Sequence, residues 1–168
     1  MRIVHDRRGV SLGEIEQVYR ARFEEYRRVA NAIVGDAERA RDAVQDAFAS
    51  AVRNRATFRG DGPLEAWIWR SVVNTALNQR RATLPEPTGY ERNGDAPHDH
   101  EDGDDPAELR GALKRLPERQ RLALFLRYYA DLDYATIATV LRVSEGTVAA
   151  TLHTAHSALR RRFEEVHL

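Results

Sequence analysis

One stretch of this chain decides what the rest can fold into. From position 84 to 106 it reads Leu-Pro-Glu-Pro-Thr-Gly-Tyr-Glu-Arg-Asn-Gly-Asp-Ala-Pro-His-Asp-His-Glu-Asp-Gly-Asp-Asp-Pro, rich in Pro, Gly and Asp and almost without aliphatic side chains. Such a segment cannot bury enough apolar surface to offset the entropy of ordering it. It predicts a flexible linker over residues 84–108 and divides the 168-residue chain into two small units, 11–83 and 109–168. Charge follows the same division. The linker carries a net charge of −8, while residues 1–83 and 109–168 carry +4 each. A formally neutral chain is therefore two basic blocks around an acidic joint.

Composition excludes several classes. There is no cysteine, so a disulfide scaffold, a thiolate zinc site and a cysteine nucleophile are out. No apolar run approaches the roughly 20 residues that a spanning helix needs. The stretch Met1-Arg-Ile-Val-His-Asp-Arg-Arg8 lacks the apolar core of a signal peptide, and the expected address is cytoplasmic.

Both blocks have helical periodicity, so the predicted fold class is all-α. In the first, Ser11-Leu-Gly-Glu14 is a capping-box pattern. Apolar residues follow at Ile15, Val18, Tyr19, Phe23, Tyr26, Ala30, Ile33 and Val34, and Gly35 closes the run. Asp36 can cap a second helix with an apolar stripe at Ala40, Val44, Ala47, Phe48, Ala51 and Val52. After a break at Phe58-Arg-Gly-Asp-Gly-Pro63, a third helix is expected to bury Leu64, Trp67, Ile68, Val72 and Ala76. Its opposite face would carry Trp69, Arg70, Val73, Asn74, Leu77, Arg80 and Arg81. Cations and an amide beside apolar groups suit phosphates and unpaired bases.

In the second block a helix is expected from Pro117 as its first residue, with a stripe at Leu122, Leu126 and Tyr129 and with Ala123 and Phe125 at its margins. Asp133 can cap Tyr134–Leu141, and Ser144 a long last helix. Ala138, Arg142 and Val148 have the spacing of a helix-turn-helix: a small residue at the helix contact, a special turn position and a β-branched core residue. Val148, Leu152, Ala155 and Leu159 continue the buried stripe. Glu145, Gly146, Thr147, Ala149, Ala150, His153 and Thr154 then face outward near the start of a recognition helix, where this motif meets the major groove.

Taken together, the chain resembles the extracytoplasmic function group of bacterial sigma-70 family transcription initiation factors, from about Ile15 to Glu164. The resemblance rests on Asp42-Ala-Val-Gln-Asp-Ala-Phe48, Phe58-Arg-Gly60, Trp67-Ile-Trp-Arg70 with Asn74, Leu116-Pro-Glu-Arg-Gln-Arg121 and Ser144-Glu-Gly-Thr-Val148, in that order. It implies sigma region 2, a bundle of three to four helices, and sigma region 4, a helix-turn-helix. It also implies a non-catalytic subunit of RNA polymerase that directs promoter-specific initiation, with core polymerase, promoter DNA and an anti-sigma factor as partners and no cofactor or small-molecule substrate. By analogy Asp42, Gln45 and Asp46 dock on the beta-prime coiled coil, and region 4 meets the beta flap. The minus-ten set is Phe58, Arg59, Asp61, Trp69, Arg70, Asn74, Arg80 and Arg81. In it Trp69 is the exposed tryptophan and Trp67 the core one. The minus-thirty-five set is Arg119, Arg127, Arg142, Ser144, Glu145, Thr147, Ala149, Ala150 and His153.

One departure stands out. Relatives commonly carry Lys or Arg at the positions of Ala149, Thr151, Thr154 and His156, whereas this chain has none between Arg142 and Arg160. Arg142 also stands where glycine is usual. The weakened recognition helix keeps an alternative open, a sigma-like regulator or interaction decoy. A metal site is not expected: His98 with His100, and His153 with His156, lack an accompanying ligand set.

Overall fold

The computed structural model describes residues 9–83 and 107–166. Most of the predicted linker, with His98 and His100, lies outside the described residues. Seven α-helices and a 3-10 turn form among them: α1 Leu12–Val34, α2 Ala37–Arg53, the turn Arg55–Thr57, α3 Leu64–Thr83, α4 Ala107–Lys114, α5 Glu118–Tyr128, α6 Tyr134–Leu141 and α7 Glu145–Val166.

The first two helices start where side chains supply hydrogen bonds. The Ser11 side chain accepts from the Glu14 amide and the Glu14 carboxylate accepts from the Ser11 amide, completing the capping box. Gly35 ends α1 at φ 74°, a left-handed turn that glycine makes without steric cost. The Asp36 carboxylate accepts from the Arg39 amide and opens α2. Each such cap contributes about 1 kcal/mol.

α1, α2 and α3 pack mutually around an aromatic cluster. Tyr26 touches Trp69 at 4.3 Å between ring centroids and Phe48 at 5.2 Å. Tyr19 meets Phe48 edge-on at 4.8 Å. Tyr26 and Trp69 are both fully buried. The Tyr26 hydroxyl has no hydrogen-bond partner among the described residues. Burial, reinforced by the nearby Glu65 carboxylate, pushes this phenol well above its ordinary pKa, so it stays neutral.

The second unit is built around α5, which packs on α7, α6 and α1. Leu122, Ala123, Leu124, Phe125 and Leu126 are all buried, so the middle of α5 is enclosed on every side while Arg119 and Tyr128 near its ends are exposed. Pro117 lies one residue before the helix, as its extended N-cap with ψ 143°. α4 precedes it, a helix the periodicity did not announce.

The two units touch. α6 reads Tyr-Ala-Thr-Ile-Ala-Thr-Val-Leu without a charge, and a helix lacking a strongly polar face is covered on more than one side. Here α7 and α5 cover part of it and α3 covers another part. Arg22, where α1 departs from helical geometry at φ −137°, ψ 22°, joins the units. Its guanidinium lies 2.9 Å from the Glu65 carboxylate and donates to the Ala130 carbonyl at 3.2 Å. Arg80 and Arg81 approach Glu118 at 3.5 and 3.7 Å.

The aromatic cluster yields a stability prediction. Replacing an unpaired buried hydroxyl by hydrogen removes a desolvation penalty without opening a cavity. Tyr26→Phe is expected to hold or raise the melting temperature, whereas Tyr26→Ala loses about 3–5 kcal/mol. Urea unfolding of both variants checks this.

Candidate nucleic-acid and protein interfaces

The α2 sequence places one face in the core and leaves one outside. Ala40, Ala43, Val44, Ala47 and Phe48 are buried, while Asp42, Gln45 and Asp46 are exposed side by side. Asp46 accepts a long hydrogen bond from Gln79 at 3.5 Å. Arg39 donates to the Gln79 carbonyl at 2.9 Å and to the Thr83 hydroxyl at 3.1 Å. The acidic and amide surface of α2 is thereby fixed against the last turns of α3. Carboxylates and an amide exposed together in this way are good acceptors for guanidinium donors.

The loop from Phe58 to Pro63 leads into α3. Phe58 and Trp67 are half-buried and meet at 5.6 Å between ring centroids. Arg59 and Asp61 are exposed. Beyond them Arg70 is half-buried and Asn74 and Arg81 are exposed. Positions 67, 70, 74, 77 and 81 follow helical spacing along one stripe. Arg80 is half-buried and lies with Arg81 against Glu118.

The two tryptophans exchange their expected places. Trp69 is fully buried against Tyr26, so it cannot meet DNA and leaves the minus-ten set. Val73 is buried too. α3 is enclosed by α1 and α2 and touched by α6, so positions 69 and 73 fall on its covered side. Trp67 is the aromatic that reaches the loop. The signal was present in its spacing: it stands three residues before Arg70 and seven before Asn74.

The second interface is the helix-turn-helix itself. Asp133 caps α6 by accepting from the Thr136 amide at 2.8 Å. The Arg142 amide donates to the Ala138 carbonyl, with Arg142 at φ 57°, ψ 51°. The Ser144 hydroxyl accepts from the Thr147 amide at 3.1 Å and starts α7. Val148, Leu152 and Ala155 are buried. Glu145, Gly146, Ala150, His153 and Thr154 are exposed, and Thr147 and Ala149 are half-buried.

Pro117, Arg119 and Gln120 at the start of α5 face Ser144, Gly146, Thr147, Ala150, Thr151 and Thr154 across an open cleft. Thr151 and Thr154 donate their hydroxyls back to the Thr147 and Ala150 carbonyls at 2.7 and 2.9 Å. Their hydroxyl hydrogens are thus engaged within α7. Arg127 does not join this cleft. Its guanidinium donates to Asp131 at 3.1 Å and to the Leu132 carbonyl at 3.2 Å. It braces the turn between α5 and α6, eight residues from Arg119 or about 12 Å along the helix. His156 hydrogen-bonds Tyr128 at 2.8 Å, at the far end of α5.

A helical bundle with an exposed acidic face and a basic aromatic stripe, linked to a helix-turn-helix, defines a two-unit DNA-binding protein. Comparison with known proteins assigns the family. The Sigma-70 region 2 family matches residues 18–83, and the Sigma-70, region 4 family matches residues 107–159. The RNA polymerase sigma-H factor of Pseudomonas aeruginosa is 32% identical over 142 residues, spanning 75% of this chain and 74% of that protein. The ECF RNA polymerase sigma factor SigM of Mycobacterium tuberculosis is 32% identical over 147 residues, spanning 87% and 75%. Among solved structures, the sigma factor RpoE in complex with the anti-sigma factor NepR from Bartonella quintana superposes with a TM-score of 0.67 at 20% identity, over 91% of this chain and 98% of that one. CnrH in complex with the cytosolic domain of CnrY gives a TM-score of 0.69 at 18% identity, over 92% and 90%. The chain belongs to the sigma-70 family, in its extracytoplasmic function group.

The α6 cap gives a pH test. Hydrogen bonds from the Thr136 side chain and amide hold the Asp133 carboxyl below its ordinary pKa of 3.8. The cap therefore contributes fully above the unfolded-state value and is lost as pH falls through the lower folded value. The stability difference between the wild type and Asp133→Asn is expected to shrink as pH drops from about 5 to about 2. Urea melts across that range measure it.

Proposed function

We propose that this chain is an alternative sigma factor that binds core RNA polymerase and directs promoter-specific initiation, adding no bond-making chemistry of its own. The observation that carries this reading is the pair of faces on one bundle: Asp42, Gln45 and Asp46 outward on α2, and Phe58, Trp67, Arg70 and Asn74 together on the loop and α3. A subunit that joins a protein machine to melted DNA needs both. The α2 face docks on the beta-prime coiled coil. The loop and α3 receive an unpaired base of the nontemplate strand, whose extrusion costs a few kcal/mol. Stacking on an aromatic surface and hydrogen bonds from Asn74 and Arg70 offset that cost. Arg59, Arg80 and Arg81 hold backbone phosphates, and Asp61 shapes the loop. For the last two arginines, DNA must displace Glu118.

The cleft of the second unit reads the minus-thirty-five duplex. Thr147, Ala149 and Ala150 meet thymine methyls, Ser144, Glu145 and His153 meet polar edges, and Arg119 with Arg142 hold phosphates. Region 4 also meets the beta flap. The relatives solved with NepR and CnrY support an anti-sigma partner for this chain as well. Among the described residues no helix is long and apolar enough to cross a membrane, and the site of action is cytoplasmic, where the polymerase works.

Two measurements test the interfaces separately. Asp42→Asn with Asp46→Asn is expected to weaken binding to core polymerase by about tenfold or more, since a hydrogen bond to a charged group contributes about 1.5–3 kcal/mol. The melting temperature should barely move. Unchanged binding in a core titration, together with unchanged run-off transcription, rejects the docking assignment. For the duplex, anisotropy titrations across salt are expected to show a shallower slope for Arg119→Gln and for Arg142→Gln, by about one unit each. Arg127→Gln should leave the slope unchanged.

A further inference from the structure

The chain just before α1 is stitched to the base of the Phe58–Pro63 loop. The Gly9 amide donates to the Phe58 carbonyl at 3.0 Å, and the Val10 amide donates to the Arg55 carbonyl at 3.0 Å. Val10 is buried in the core. Gly9 sits at φ 101°, and a Cβ there would lie 3.2 Å from the Ala56 Cα and 3.3 Å from the Arg55 carbonyl oxygen. Both the left-handed backbone and the close approach to backbone atoms require glycine. These contacts touch none of the residues given a docking or DNA role except Phe58, and Phe58 is the first residue of the loop.

The Phe58 ring packs against the edge of the core, but its backbone is otherwise held loosely. Its own amide reaches the Arg55 carbonyl at a long 3.4 Å, its ring leans on a half-buried Trp67, and the next five residues are exposed. The Gly9 bond is therefore the firmest backbone restraint on the residue that opens the loop.

We propose that Gly9 and Val10 form a clip that pre-positions Phe58 and the loop for an extruded base, making Gly9 a positioning residue for promoter opening. This rests on the assignment of the loop to the minus-ten element. The clip lowers the ordering cost when the base enters, because the loop base is already fixed. It takes no part in docking and none in duplex reading, which lie on α2 and on α7.

The test compares open-complex formation by holoenzyme on a fully paired promoter and on the same promoter mispaired across the minus-ten element. Gly9→Ala, and separately a chain lacking residues 1–9 that keeps Val10 in the core, are expected to bind core polymerase as the wild type does. Both should open the paired promoter about tenfold more slowly. On the mispaired template, where extrusion is already done, they should recover to within about twofold. Val10→Ala lowers stability but keeps both backbone donors, and it should open the paired promoter at nearly the wild-type rate. Wild-type rates for Gly9→Ala and for the shortened chain on paired DNA overturn the clip. So does equal slowing on both templates, or slowing by Val10→Ala as large as by Gly9→Ala. If the wild type itself opens neither promoter selectively, the minus-ten assignment fails, and that result is seen before any variant is compared.

Discussion

The constraint on which the first unit depends is that α3 serves two surfaces within one helical period. Trp69, Val72, Val73 and Ala76 fill its covered side, and Trp69 is locked by Tyr26 and, through Tyr26, by Phe48. That packing sets the rotation of the helix. Once the rotation is set, positions 67, 70 and 74 share one outer stripe that starts beside the loop. Aromatic contacts of this kind add about 0.5–1.5 kcal/mol each beyond the area they bury. Their larger effect is geometric, since a turn of α3 by one residue would exchange Arg70 for Ser71 beside the loop. The outward carboxylates of α2 inherit the same register through Arg39, which ties α2 to the end of α3.

The second unit solves a different problem, presenting a helix with no Asp, Glu, Lys or Arg from Gly146 to Leu159. The middle of α5 is buried all round, so α6 and α7 are held from within by apolar contact. Ser144 and Asp133 fix where the two helices begin. With their hydroxyl hydrogens turned back into α7, Thr151 and Thr154 leave methyl groups and oxygen lone pairs for the outside. Among the described residues lining the cleft the one cation is Arg119, on α5. A duplex seated there would meet base-edge and methyl groups more than charge.

Much of this was legible in the sequence, and the errors have physical causes. Capping side chains were read correctly because each needs only local chemistry: Ser11 with Glu14, Asp36, Asp133 and Ser144 all accept the bonds expected of them. Periodicity placed the α1 and α2 cores, where one face is buried and one is wet. On α3 it placed Ile68, Val72 and Ala76 but not the tryptophans, and on α5 Leu122 and Leu126 but not the full buried girdle, because a helix touched from three directions has no single apolar stripe. Trp69 was given to the wrong side for that reason, and Phe125 was set at a margin it does not have. Arg127 is of a residue type suited to phosphate and, in the fold, it also braces a turn. Its use in bracing a turn depends on Asp131 and the Leu132 carbonyl, which only the folded chain brings within reach. The charge-free run of α6 did carry a hint that α3 would lie against it.

Arg142 has one more consequence. An L-residue held left-handed gives up roughly 1–2 kcal/mol, against a total of about 5–15 kcal/mol for an ordinary domain. The bend between the reading helices is thus less comfortable than glycine would make it, and the fold tolerates that thermal handicap while keeping a permanent cation at the elbow. Heat tolerance and surface charge are set against each other at a single side chain.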